Sequence, residues 1–101
     1  MKEISTANFK EIIAEGITVV DFWAPWCGPC RMLTPPLEEL SEEMPNVKFV
    51  KLNIDNNPEV AMEYGVMSIP TIIFFKDGEQ KDTQIGVIPK EKIKNKLDKV
   101  M

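Results

Sequence analysis

The chain has 101 residues, 44% of them hydrophobic and 28% charged, with a formal net charge of -4 and no histidine. That length is one domain, spanning residues 1–101, with enough buried surface to fold without a staple or a metal, and the acidic balance argues against nucleic acid as a partner. The apolar runs, of which Ile72 to Phe75 is typical, are too short to span a membrane, and Met1 to Ile4 carry no signal-peptide core, so the expected location is the cytoplasm.

A short strand over 2–5 opens the chain. Asn8 followed three residues later by Glu11 reads as a capping box, and Phe9, Ile12 and Ile13 give an apolar face that Gly16 stops, which predicts a helix over 8–15. Residues 17–23, Ile-Thr-Val-Val-Asp-Phe-Trp, are β-branched and aromatic with little polar alternation, as in a central strand covered on both faces. From Gly28 onward Leu33, Leu37, Leu40 and Met44 recur at helical intervals, and Pro35 and Pro36 remove two donors, which predicts a bend. Residues 47–53 form another strand and 58–64 a short helix ended by Gly65.

Strands over 71–76 and 81–86 are joined by Asp77-Gly78, a strong hairpin signal. The last helix starts near Pro89 and buries Ile93, Leu97 and Val100, while Lys90, Lys92, Lys94, Lys96 and Lys99 make its solvated face. The order β-α-β-α-β-α-β-β-α predicts an α/β fold with a central mixed five-stranded sheet and four flanking helices. The early strands are expected to be parallel through right-handed crossovers and the last hairpin antiparallel.

Cys27 and Cys30 are the only cysteines, and they stand where the 17–23 strand passes into a helix. A thiol at a helix N-terminus feels the partial positive charge of unpaired N–H groups, which favours the nucleophilic thiolate. The second sulfur, one turn deeper, is close enough to close a small disulfide ring. A structural staple of this spacing constrains too little chain to matter, and zinc needs four ligands that a chain with two cysteines and no histidine lacks. In a reduced compartment such a pair is a transient, catalytic one. Asp21, inside the apolar strand, is read from spacing as either a costly buried carboxylate or a strand-end residue touching water. Lys51 on its own reads as the solvated side of an alternating strand, and Pro70 as a proline at a strand entrance.

Asp21-Phe22-Trp23-Ala24-Pro25-Trp26-Cys27-Gly28-Pro29-Cys30, Pro35, Lys51-Leu52-Asn53-Ile54-Asp55, Ile69-Pro70-Thr71, Phe75-Lys76-Asp77-Gly78 and Gly86 together resemble the thioredoxin family from end to end. The resemblance implies the thioredoxin fold and a protein-disulfide reductase that works by two-step thiol–disulfide exchange. Cys27, the exposed sulfur, attacks a client disulfide; Cys30, more buried, resolves the mixed disulfide. Asp21 acts through water as base and acid for Cys30, and Lys51 beside it tunes that carboxyl. The Ile69–Pro70 bond is cis and faces the disulfide. Trp26, Gly28, Pro29, Ile69, Pro70, Ile85, Gly86 and Val87 form the apolar surface on which an extended client segment docks.

The implied partners are disulfide-containing client proteins and a thioredoxin reductase, flavin- or ferredoxin-linked. The protein itself is expected to be a monomer with no bound cofactor beyond the redox-active Cys27-Cys30 disulfide. Gly28-Pro29 supplies neither charge nor side-chain donor to hold the thiolate, which argues for a reductant over the disulfide-forming relatives of the same fold. Met67-Ser68, near the client surface, departs from the commonest family pattern, which often has Arg-Gly there; Pro25 and Pro89 also depart from it.

Overall fold

In the computed structural model, which describes residues 1–101, the chain forms five strands. They are β1 (Lys2–Ile4), β2 (Ile17–Trp23), β3 (Val47–Asn53), β4 (Thr71–Lys76) and β5 (Glu79–Ile85). The amphipathic stretches become α1 (Phe9–Ile13), α2 (Gly28–Glu43), α3 (Pro58–Glu63) and α4 (Lys90–Val100). The strands form one sheet in the order β1-β3-β2-β4-β5. β1 and β2 both pair parallel with β3, whereas β4 runs antiparallel to β2 and β5. This is the expected α/β architecture with its mixed sheet. No helix is long and apolar enough to cross a membrane.

Alternation along the strands divides the core into two layers. Val20, Phe22, Val50, Leu52, Ile73 and Phe75 pack with Phe9 and Ile13 of α1 and Val60 of α3. Val19, Val47, Phe49, Ile72 and Phe74 face the other way, onto Leu33, Leu37 and Leu40 of α2 and Ile93 and Leu97 of α4. Both layers are apolar because β2 and β4 are covered on both faces. Asp21 follows the parity of Val19 and therefore points into the α2 layer.

β2, β3 and β4 have the bounds expected of them, β1 ends one residue early at Ile4, and three further elements differ. α1 spans only Phe9–Ile13, and the capping box does not form. Asn8 Oδ1 instead accepts from the Ser5 backbone N–H at 2.9 Å, which closes the turn after β1 rather than capping the helix. β5 begins at Glu79, two residues early, because Asp77 and Gly78 both take positive φ (50° and 86°) and close a two-residue turn that lets Lys76 pair at once with Glu79. α3 stops one residue short of the expected Tyr64. α2 continues past Pro35, which is exposed, and Pro36, which is partly buried.

Candidate active site

β2 delivers the chain directly to the N-terminus of α2. Ala24, next along, is buried, and its carbonyl accepts from the Cys27 N–H at 3.1 Å in a tight turn. Cys27 is the N-cap of α2, in extended conformation, and its Sγ accepts from the Cys30 backbone N–H at 3.2 Å. A sulfur thus occupies the place where Ser or Asp commonly satisfies the first N–H groups of a helix. Cys27 and Cys30 are joined as a disulfide with Cα atoms 5.4 Å apart.

The expectation of one exposed and one buried sulfur needs correction. Cys27 is 4% exposed and Cys30 2%. With Ala24 the cysteines form a small apolar cluster against which Trp23, Ile54 and Ile69 pack, and this neighbourhood shields both residues. What separates them is electrostatic: the Cys27 sulfur accepts a helix N–H and the Cys30 sulfur does not.

Asp21, on β2 six residues before Cys27, is 2% exposed, and its Oδ1 has no hydrogen-bond partner. Of the two readings that spacing left open, burial is the correct one. The carboxyl is pushed up to about 7, first by burial, with Glu3 adding to the rise and the Lys51 charge opposing it. Asp21, Cys30, Thr34 and Lys51 line one cavity of about 90 Å³, large enough to admit water. Lys51 is the register neighbour of Asp21 across β2 and β3. Its ammonium, however, pairs with Glu3 at 3.9 Å and stacks 4.9 Å from the Trp23 ring centroid, so the ion pair goes to Glu3 and not to Asp21.

On the other side of the disulfide the Ile69–Pro70 peptide bond is cis. The Pro70 carbonyl accepts from the Gly86 N–H at 2.9 Å, and Gly86 adopts φ 87°, a conformation open to glycine. This bond ties the Ile69–Pro70 loop to the end of β5, where Ile85 and Val87 are exposed. Gly28 and Pro29 are exposed between the cysteines. Trp26 is 67% exposed, its indole held by the Asp55 carboxylate at 3.0 Å. Trp26, Ile54, Val66, Met67 and Ile69 line an apolar cleft of about 230 Å³ beside the pair. No cluster of His, Cys, Asp or Glu is arranged to hold a metal ion.

Sequence reasoning gave no role to three groups: Glu3 on Lys51, Asp55 on Trp26, and Arg31, whose guanidinium donates to the Pro25 carbonyl at 2.9 Å. Each is a charged residue on an exposed surface, where pattern alone reads solvation. A register argument pairing β1 with β3 is the signal that could have found Glu3.

A disulfide seated on a helix N-terminus, beyond the end of the central strand of a mixed five-stranded sheet and beside a cis-proline loop, defines a thiol–disulfide oxidoreductase that works by dithiol–disulfide exchange. Residues 1–99 match the family model described as Thioredoxin. Thioredoxin 1 of Synechococcus elongatus is 50% identical over 99 residues, covering 95% of this chain and 92% of that protein. The thioredoxin of Bacillus subtilis strain 168 is 50% identical over 93 residues, covering 91% and 89%. A solved chain from work on the thiol-resolving mechanism of yeast mitochondrial 1-Cys peroxiredoxin via glutathione/thioredoxin systems superposes with a TM-score of 0.90 at 31% identity. It covers 98% of this chain, which covers 94% of it. The chain belongs to the thioredoxin family.

Proposed function

We propose that residues 1–101 form a single functional domain that reduces disulfides in client proteins as an electron carrier. The observation that carries this reading is the Cys27 sulfur at the N-cap of α2, accepting the Cys30 N–H. The Cys27 thiolate, stabilised there, attacks one client sulfur; a Cys27–client disulfide forms and the first client thiolate leaves. Cys30 then loses its proton, attacks the Cys27 sulfur and expels the second client thiolate. The product is reduced client and the Cys27–Cys30 disulfide.

Asp21 is the base for the Cys30 proton, through water in the shared cavity, and returns it as an acid in the reverse direction. A carboxyl near 7 suits both roles at neutral pH. Lys51 tunes it. Trp26, Gly28, Pro29, Ile69, Pro70, Ile85, Gly86 and Val87 receive the client, with the Ile69 backbone pairing to an extended segment. A separate thioredoxin reductase, flavin- or ferredoxin-linked, returns the electrons. The protein acts as a cytoplasmic monomer with no bound cofactor, the redox-active disulfide being its own electron store.

Alkylation of the reduced protein tests the assignment of the nucleophile. At pH 7 iodoacetamide labels Cys27 at least about tenfold faster than Cys30, as read by peptide mass spectrometry. Equal rates, or faster labelling of Cys30, contradict it.

A further inference from the structure

Glu3, Lys51 and Asp21 stand in one row across three neighbouring strands. Glu3 is the register partner of Lys51 between β1 and β3, and Lys51 that of Asp21 between β3 and β2. Laterally paired residues of parallel strands project from the same face, so carboxylate, ammonium and carboxylate follow one another on the α2 side of the sheet. The single cation is flanked by two anions, and its position decides which one it serves.

The outer carboxylate is tightly held. Glu3 Oε2 accepts from the Trp23 indole N–H at 3.3 Å and from the Asn53 backbone N–H at 3.0 Å. That leaves Oε1 for the Lys51 ammonium at 3.9 Å, and the Trp23 ring gives the same ammonium a second attraction. The remaining neighbours offer Asp21 little: β4 places apolar Ile72 beside it, α2 contributes Cys30 and Thr34, whose hydroxyl donates to the Cys30 carbonyl, and Arg31 is engaged by the Pro25 carbonyl.

We propose that Glu3 is a positioning residue of the redox site, anchoring Lys51 at the outer edge of the sheet and withholding its charge from Asp21. Burial sets the high affinity of Asp21 for its proton; Glu3 preserves it by its own charge and by the partner it takes away. The kinetic consequence rests on the proton-relay role proposed for Asp21. The electrostatic one does not. If Asp21 is the relay, Glu3 fixes the pH at which the resolving step accelerates.

The test is a carboxyl-carbon NMR titration of reduced, aspartate-labelled protein, with the rate of mixed-disulfide resolution followed over the same pH range. Glu3→Gln keeps an acceptor for Trp23 and Asn53 but removes the charge. It lowers the Asp21 midpoint by about half a pH unit, the scale of one partly screened charge. Lys51→Met raises the midpoint, and adding Glu3→Gln to it produces less than half the shift seen in the parent. An unmoved midpoint in Glu3→Gln overturns the proposal; so does an equal shift with and without Lys51, which leaves only direct charge repulsion. A midpoint that moves while the resolving rate keeps its pH profile supports the positioning role of Glu3 and removes the relay role of Asp21.

Discussion

Cys30→Ser protein, reduced and mixed with a disulfide-containing client, accumulates as a covalent adduct through Cys27. The first exchange still proceeds, because the N-cap sulfur and the helix N–H groups that stabilise it remain. The second does not, because a serine hydroxyl at neutral pH holds its proton and cannot displace a thiolate. The adjacent thiol also acts at an effective concentration that free thiols in solution do not reach, so turnover falls by at least about 10³-fold. Non-reducing electrophoresis and intact-mass measurement check the adduct. Rapid turnover without adduct shows that Cys30 is not the resolving group.

Asp21→Asn changes two quantities in opposite senses. Resolution of the mixed disulfide slows by about 10²-fold, the scale of one general base, while the first attack is nearly unchanged. Stability rises, and the rise depends on pH. The folded carboxyl titrates at about 7 against an ordinary 3.8. Between those values the folded state keeps a proton that the unfolded chain has released, so the carboxylate destabilises the fold progressively as pH increases from 3.8 and fully above 7. Asparagine has no charge to desolvate. Its advantage is therefore absent below about pH 4 and reaches on the order of 4 kcal/mol at pH 8. Denaturant melts at pH 4 and pH 8, with quenched-flow measurement of resolution, check both parts. A variant less stable at pH 8, resolving as fast as the parent, identifies Asp21 as a satisfied structural carboxylate.

The inner strands were legible in the sequence, β2 and β4 because burial on both faces leaves a nearly continuous apolar run and β3 because its apolar residues alternate with polar ones. Asp77-Gly78 was legible for a different reason: both positions need positive φ, and few other pairs accept it. The edges were less readable. Asn8 has two uses for its side chain, and the turn with Ser5 won over the helix cap, which only the folded chain decides. At the site, Cys27 and Cys30 announced themselves by residue type and spacing, whereas Asp21 stood out as a carboxylate in an apolar strand whose burial spacing left open. Lys51 did not, since its role is set by which carboxylate it meets. Glu3 was hidden altogether: its significance comes from the pairing of β1 with β3, a contact between residues far apart in the chain.

The central claim is that electrons leave through the Cys27 sulfur and that Cys30 completes the exchange. The most direct measurement is a single turnover of the reduced parent protein with one client disulfide, quenched in acid at successive times and mapped by mass spectrometry. The expected record is a transient client adduct on Cys27 alone, decaying at the rate at which the Cys27–Cys30 disulfide and reduced client appear. An adduct on Cys30, or reduced client released before any Cys27 adduct forms, contradicts the account.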